Sequence, residues 1–167
     1  FGVFNDSLQR TAKSGEIRDY MTGVGFAEAN SVRNWFQARL MLITATGEDV
    51  ARQETITPEL FKLSTLTDNF DATYFGAEKD GKFTTWPILD LPDGYDPRVR
   101  PWYKDAVTEN GPTVTKPYHD ASSNRLIVTA AAPVNPARGL SGVVGGHFAL
   151  TEIATMLSES DMGGNGY

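Results

Sequence analysis

Residues 95 to 118 hold the densest potential chemistry in the chain. Tyr95-Asp96-Pro97-Arg98-Val99-Arg100-Pro101-Trp102-Tyr103 places three large aromatics and two guanidinium groups on a loop entering a helix, and Tyr118 follows. Such a set suits a small anionic ligand. An arginine grips a carboxylate with two parallel N–H bonds, the helix start adds free backbone donors, and aromatic rings cover the ligand while their polar atoms reach its edges. The same residues have a plainer use, with Trp102 anchoring a core and the arginines pairing with surface acids. Spacing alone leaves both open.

Catalysis has thinner support. No G-x-S-x-G, H-E-x-x-H, Walker-type loop or G-x-G-x-x-G occurs. The two histidines, His119 and His147, are the candidates for a near-neutral base, and His119 adjoins Asp120. That pair would serve a small hydrolase or acyltransferase, but no nucleophile is identifiable. Asp68, Asp71, Asp80, Asp90 and Asp93 do not match a calcium loop and read as solvated turn residues. Neither a metal nor a cofactor is expected. With no cysteine, disulfides, thiolate nucleophiles and Cys-based zinc sites drop out together.

The 167 residues amount to one domain, and 40% hydrophobic residues with 11% aromatics can fill its interior. Net charge is −6 with the signs interspersed, so nucleic-acid binding through phosphate neutralisation is not expected. The longest apolar run, Leu126 to Val134, is interrupted by Thr129 and Pro133 and is far short of the roughly 18 residues of a spanning helix. The chain starts at Phe1 without Met or a signal-like region, which leads us to expect targeting or anchoring segments outside it.

The elements that must position these residues follow from periodicity. Val32, Phe36, Leu40, Ile43 and Val50 form one helical stripe, predicting a long helix over about 26–53; residues 1–25, interrupted by Gly15, Gly23 and Gly25, read as broken helix. Thr57, Pro58 and Glu59 predict a second helix start, with Leu60, Phe61, Leu63 and Leu66 facing the core. Residues 70–76 alternate, and a turn at Asp80-Gly81 returns the chain into Phe83 to Trp86 as a hairpin. Pro101 opens a helix to about Glu109 that buries Trp102, Ala106 and Val107. Strands are predicted at 113–118, 125–134 and 142–150. Short turns make them antiparallel, since a parallel crossover needs a dozen or more residues. The class is α+β, a long N-terminal helix on a five- to six-stranded antiparallel sheet. Residues 162–167 are Gly-rich and read as the start of a connection.

Several ordered motifs together resemble the membrane-distal module of the double-Cache (PAS-like) sensor domains of bacterial chemoreceptors. They are Asn30-Ser31-Val32-Arg33-Asn34-Trp35-Phe36, the hairpin at 74–81, Asp96-Pro97-Arg98 with Arg100-Pro101-Trp102-Tyr103, Pro117-Tyr118-His119-Asp120, and Gly142-Val143-Val144-Gly145-Gly146. The resemblance implies a periplasmic or extracellular sensor domain of a methyl-accepting chemotaxis protein that binds an amino acid or related carboxylate. It implies further that Arg100 and Trp102 grip the carboxylate, Tyr95 and Tyr103 wall the pocket, and Tyr118 and Asp120 meet the amino end. His147 departs: it stands where the family usually has an aspartate, and a histidine cannot supply a permanent negative charge to an ammonium. An organic acid, or a planar heterocycle such as a purine, would use a neutral His147 as donor and acceptor. The same likeness divides the chain into a helical segment (1–56), the sensor module (57–161) and the entry to a membrane-proximal module (162–167). It also implies membrane anchoring through segments absent here and a homodimeric receptor.

Overall fold

The computed structural model describes residues 26–135 and 140–165. The broken helix expected over 1–25 lies outside the described residues. Helix α1 runs Phe26–Ala51, and its predicted stripe is buried: Val32, Phe36, Leu40, Ile43 and Val50 are each at most 4% exposed. Its threonines cause no break, because Thr44 and Thr46 return their hydroxyl protons to the Leu40 and Leu42 carbonyls at 2.8 and 2.7 Å.

The second helix is shorter than expected. A 3-10 turn, Pro58–Phe61, follows an extended Thr57 that makes no side-chain cap, and a single-turn helix, α2, spans Ser64–Thr67. An extended Leu63 (ψ 139°) separates the two, so Phe61 and Leu66 are buried while Leu63 is exposed, against expectation.

Six strands then form one antiparallel sheet: β1 (Ala72–Ala77), β2 (Phe83–Trp86), β3 (Thr113–Val114), β4 (Tyr118–His119), β5 (Leu126–Val134) and β6 (Gly142–Ala149). Their order is β2-β1-β6-β5-β3, with β4 also on β5. Gly81 turns the β1–β2 hairpin at φ +73°, a conformation that favours glycine. The single strand expected over 113–118 is two short pieces because Pro117 has no N–H and Thr115 substitutes its side chain in the ladder. The Thr129 N–H donates to Thr115 Oγ1 at 3.0 Å, while the Thr115 N–H donates to the Thr129 carbonyl at 2.9 Å.

Helix α3 runs Pro101–Glu109 as predicted, from an extended Arg100 to a left-handed Asn110 (φ 53°). It buries Trp102, Tyr103 and Ala106, not Val107. At 100° per residue the first three cluster within one arc and Val107 falls on its edge. Helix α4 (Leu150–Asn165) was not anticipated: a strand was expected to Leu150 and a Gly-rich connection from Met162. Leu150 and Ile153 are buried, with Met156 and Leu157 packed against the same core, an i, i+3, i+6, i+7 pattern. No helix among the described residues is long and apolar enough to cross a membrane.

Alternation along the strands sorts the core in two. Phe75, Val128, Ala130, Ala132, Val134, Val144 and Phe148 join the α1 and α4 residues in one apolar cluster. The opposite face presents Ala72, Tyr74, Ala131 and Val143 to Trp102, Tyr103 and Ala106 of α3. The candidate site lies on this second face.

Candidate functional site

Three central strands bring the polar groups of that face together. The register pairs His147 with Thr129 and with Ala72, which puts His147, Thr129 and Tyr74 on neighbouring strands with their side chains on one side. Tyr74 Oη lies 3.0 Å from His147 Nδ1 and 3.2 Å from Thr129 Oγ1, and Tyr118 Oη lies 2.5 Å from the same Thr129 oxygen, all within hydrogen-bond reach. Tyr74, Thr129 and His147 are buried.

The aromatic wall is built by Trp102 from α3, with its ring centroid 4.9 Å from Tyr74, and by Phe83 of β2, 5.2 Å from Tyr74 and 5.0 Å from Tyr95. Gly145 permits this closeness. A Cβ there would stand 2.8 Å from the Tyr74 ring and 3.2 Å from Trp102.

Arg100 sits at the N-cap of α3, where Pro101 fixes the helix start. Its Nη2 donates to the His119 carbonyl at 2.9 Å, and its Cζ stands 5.6 Å from the Tyr118 ring centroid. A guanidinium carries five N–H donors, and this bond engages one nitrogen. The Asp120 carboxylate accepts from the Ser122 and Ser123 hydroxyls, each at 2.7 Å, and from the Ser123 N–H at 3.2 Å. Burial alone would raise its pKa, but the Ser123 and Ser122 hydrogen bonds and the nearby His147 hold it below the ordinary carboxylate value. Burial lowers the His147 pKa, so the imidazole is neutral at pH 7, and burial raises the Tyr95, Tyr74 and Tyr118 phenols.

Tyr95, Arg100, Trp102, Tyr118, Asp120 and His147 thus line one cavity, with about 250 Å³ of empty space. Tyr103 is the exception among the expected residues. Its side chain turns away and its hydroxyl donates to the Glu78 carboxylate at the hairpin turn, while Arg98 donates to the Glu78 carbonyl at 3.1 Å. Tyr74, Phe83, Leu89, Leu91 and Ala121 complete the lining and were not anticipated.

The His119–Asp120 dyad is not formed. His119 is exposed and donates from Nδ1 to the Asn124 carbonyl at 3.1 Å, while Asp120 is engaged by the two serines. Two wider grooves, of about 980 and 1350 Å³, flank β2. The acids and lysines around the first, such as Glu54, Glu78 and Lys82, are exposed surface groups. Of these three, among the described residues, the smaller cavity is the one that brings a guanidinium, a carboxylate and stacked aromatics together.

The chain shares its fold and sequence with known proteins. The methyl-accepting chemotaxis protein PctB of Pseudomonas aeruginosa is 36% identical over 169 residues, covering 100% of this chain and 27% of that protein. The ligand-binding domain of the amino acid chemoreceptor PctC of Pseudomonas aeruginosa, solved with GABA, superposes with a TM-score of 0.77 at 29% identity, covering 84% of this chain and 69% of that one. The ligand-binding domain of the Pseudomonas fluorescens chemoreceptor CtaA, solved with L-serine, gives 0.75 at 33% identity over 84% of this chain and 63% of that one. The chain spans about a quarter of the length of the curated relatives it matches. A family model described as "Methyl-accepting chemotaxis protein-like, first PDC sensor domain" matches residues 48–155, and the chain belongs to that family.

Proposed function

We propose that this chain is the ligand-sensing module of a chemotaxis receptor and that its cavity takes an amino acid or a closely related small carboxylate. The observation that carries the reading is the placement of one guanidinium, Arg100, and one ionised carboxylate, Asp120, in the same aromatic-walled cavity. That is the complement of a zwitterion: Arg100 and the Trp102 indole take the carboxylate, and Asp120 with Tyr118 takes the ammonium. The neighbours solved with GABA and L-serine support the same class.

The sensor faces the outside of the membrane in a homodimeric receptor that is anchored through segments beyond these residues. Signalling then requires that ligand bind one placement of the cavity wall better than another, because a ligand with equal affinity for both shifts nothing.

A thermal-shift and calorimetric screen of L-amino acids, GABA, short organic acids and purines tests this. One amino-acid class should stabilise the protein, by about 2.7 kcal/mol at a hundred times its Kd, and Arg100→Ala should cut that gain to about 1 kcal/mol at the same ligand concentration. A purine or a carboxylate without nitrogen as the sole stabiliser would replace the proposed ligand class. An undiminished response in Arg100→Ala would refute the role of the guanidinium.

A further inference from the structure

We propose that His147, Tyr74, Thr129 and Tyr118 form one hydrogen-bond relay in which the proton on His147 Nδ1 decides whether Tyr118 offers the cavity an acceptor or a donor. At neutral pH it offers an acceptor, and the cavity therefore favours ligands that bring an N–H group. The inference rests on the amino-acid reading of the cavity and names what stands in for a second acid at the ammonium end.

The logic follows from counting protons along the chain of contacts. Each hydroxyl has one hydrogen. If Nδ1 is bare, Tyr74 must donate to it across the 3.0 Å contact. The Tyr74 oxygen then accepts from Thr129, whose only proton is spent, so Tyr118 donates to Thr129 or to the Tyr74 oxygen it also meets. The Tyr118 oxygen is left with lone pairs alone for the cavity it lines. If Nδ1 carries a proton, the Tyr74 proton turns to Thr129, and the Tyr118 proton is released toward the ligand.

The Thr129 backbone is held through its N–H and its carbonyl by Thr115, which keeps its side chain on this face of the sheet. The Nε2–H tautomer of a neutral imidazole gives the first arrangement. Charging His147 enforces the second and adds a positive charge beside the ammonium. The charged groups facing His147 are Asp120, Asp71 and Arg125; burial favours the neutral ring, the two acids oppose it and Arg125 assists it. Asp120 stays ionised and the tyrosines stay neutral across the range in which histidine titrates.

The test pairs L-alanine, L-leucine and L-glutamate each with its own α-keto acid, which exchanges the ammonium for a carbonyl oxygen and keeps the carboxylate. Kd values for the 167-residue chain are measured from about pH 5 to about pH 8, beside 15N shifts of the His147 ring without ligand. The expected result is an Nε2–H tautomer at neutral pH and an amino-acid preference that falls about tenfold on acidification. Tyr74→Phe, which removes one hydroxyl from a buried ring, should shrink that fall to the part exerted directly by the His147 charge on the ammonium. Glu152→Gln should leave its pH dependence intact.

A preference flat with pH in the parent protein, or unchanged by Tyr74→Phe, overturns the relay. An Nδ1–H tautomer with amino-acid binding intact also overturns it, and leaves the functional reading standing. An Nε2–H tautomer with no amino acid bound sinks the ammonium preference together with the functional reading.

Discussion

The two faces of the central sheet come from the same strands and are equally shielded from water, yet they are held in different ways. On the α1/α4 side, β6 presents Val144 and Phe148, and Phe148 meets Trp35 edge-on at 4.6 Å, Phe36 at 5.8 Å and Phe70 at 6.3 Å. Area and ring contacts stabilise that side, where Val144 and Phe148 carry no hydrogen-bonding group. On the α3 side the same strands present Tyr74, Thr129 and His147, joined by hydrogen bonds through Tyr74 and, at Thr129, to Tyr118 as well. A one-residue step along a strand therefore separates a site that stabilises the fold from one that recognises a ligand. Substitutions should divide the same way.

The strongest test of that division is Phe148→Ala. Deleting a fully buried ring from the apolar face should lower stability by about 3–5 kcal/mol, read as a drop in the unfolding midpoint, while ligand Kd in the folded protein changes little. Arg100→Ala is its mirror image. It removes a charge-assisted contact and should weaken ligand binding by about 2 kcal/mol, or about 30-fold, with the midpoint of the ligand-free protein nearly unchanged. If Phe148→Ala chiefly alters affinity, or Arg100→Ala chiefly alters stability, the two faces are not separable.

Tyr103 sharpens the boundary between them. It is 3% exposed, but its hydroxyl is tied to Glu78 and it does not line the cavity. Tyr103→Phe should cost about 1 kcal/mol of stability through that lost bond and leave affinity within about threefold. A loss comparable to that of Arg100→Ala would return Tyr103 to the pocket wall, where the resemblance placed it.

The sequence made some of this legible for identifiable reasons. The stripe of α1 and the start of α3 at Pro101 are local signals, and both appear where periodicity and proline chemistry put them. The loop residues Tyr95, Arg100 and Trp102 could be found because they are polar or aromatic where a plain turn needs neither. Tyr74 and Thr129 were hidden. Both lie in strands buried on both faces, where a tyrosine reads as a β-former and a threonine as a break in an apolar run. What makes them part of the site is the pairing of β1, β6 and β5, a long-range register that no local pattern sets. Helix α4 was missed for another reason: Gly163 and Gly164 outweighed the spacing of Leu150, Ile153 and Leu157.

The smallest expected effect lies at the seam between the faces. The Asp71 N–H donates to the His147 carbonyl at 2.8 Å, and Glu152 in the first turn of α4 is hydrogen-bonded to the Asp71 side chain. Burial, then the field of Asp71 and the bond to it, push the Glu152 carboxyl up to about 7 against the pull of Arg39 and Arg125. The folded chain thus keeps a proton that the unfolded chain releases near the ordinary value of 4.5. The stability this proton confers is complete below that value, declines as pH rises toward 7, and is gone above it. Glu152 is half-buried, so solvent screening limits the change to about 1 kcal/mol. Glu152→Gln, which stays neutral at every pH, should flatten this decline in unfolding midpoints measured from about pH 5 to about pH 8, with no change in ligand affinity at neutral pH. An altered affinity would mean that α4 and the cavity communicate through Asp71, and the division between the faces would then fail at this one point.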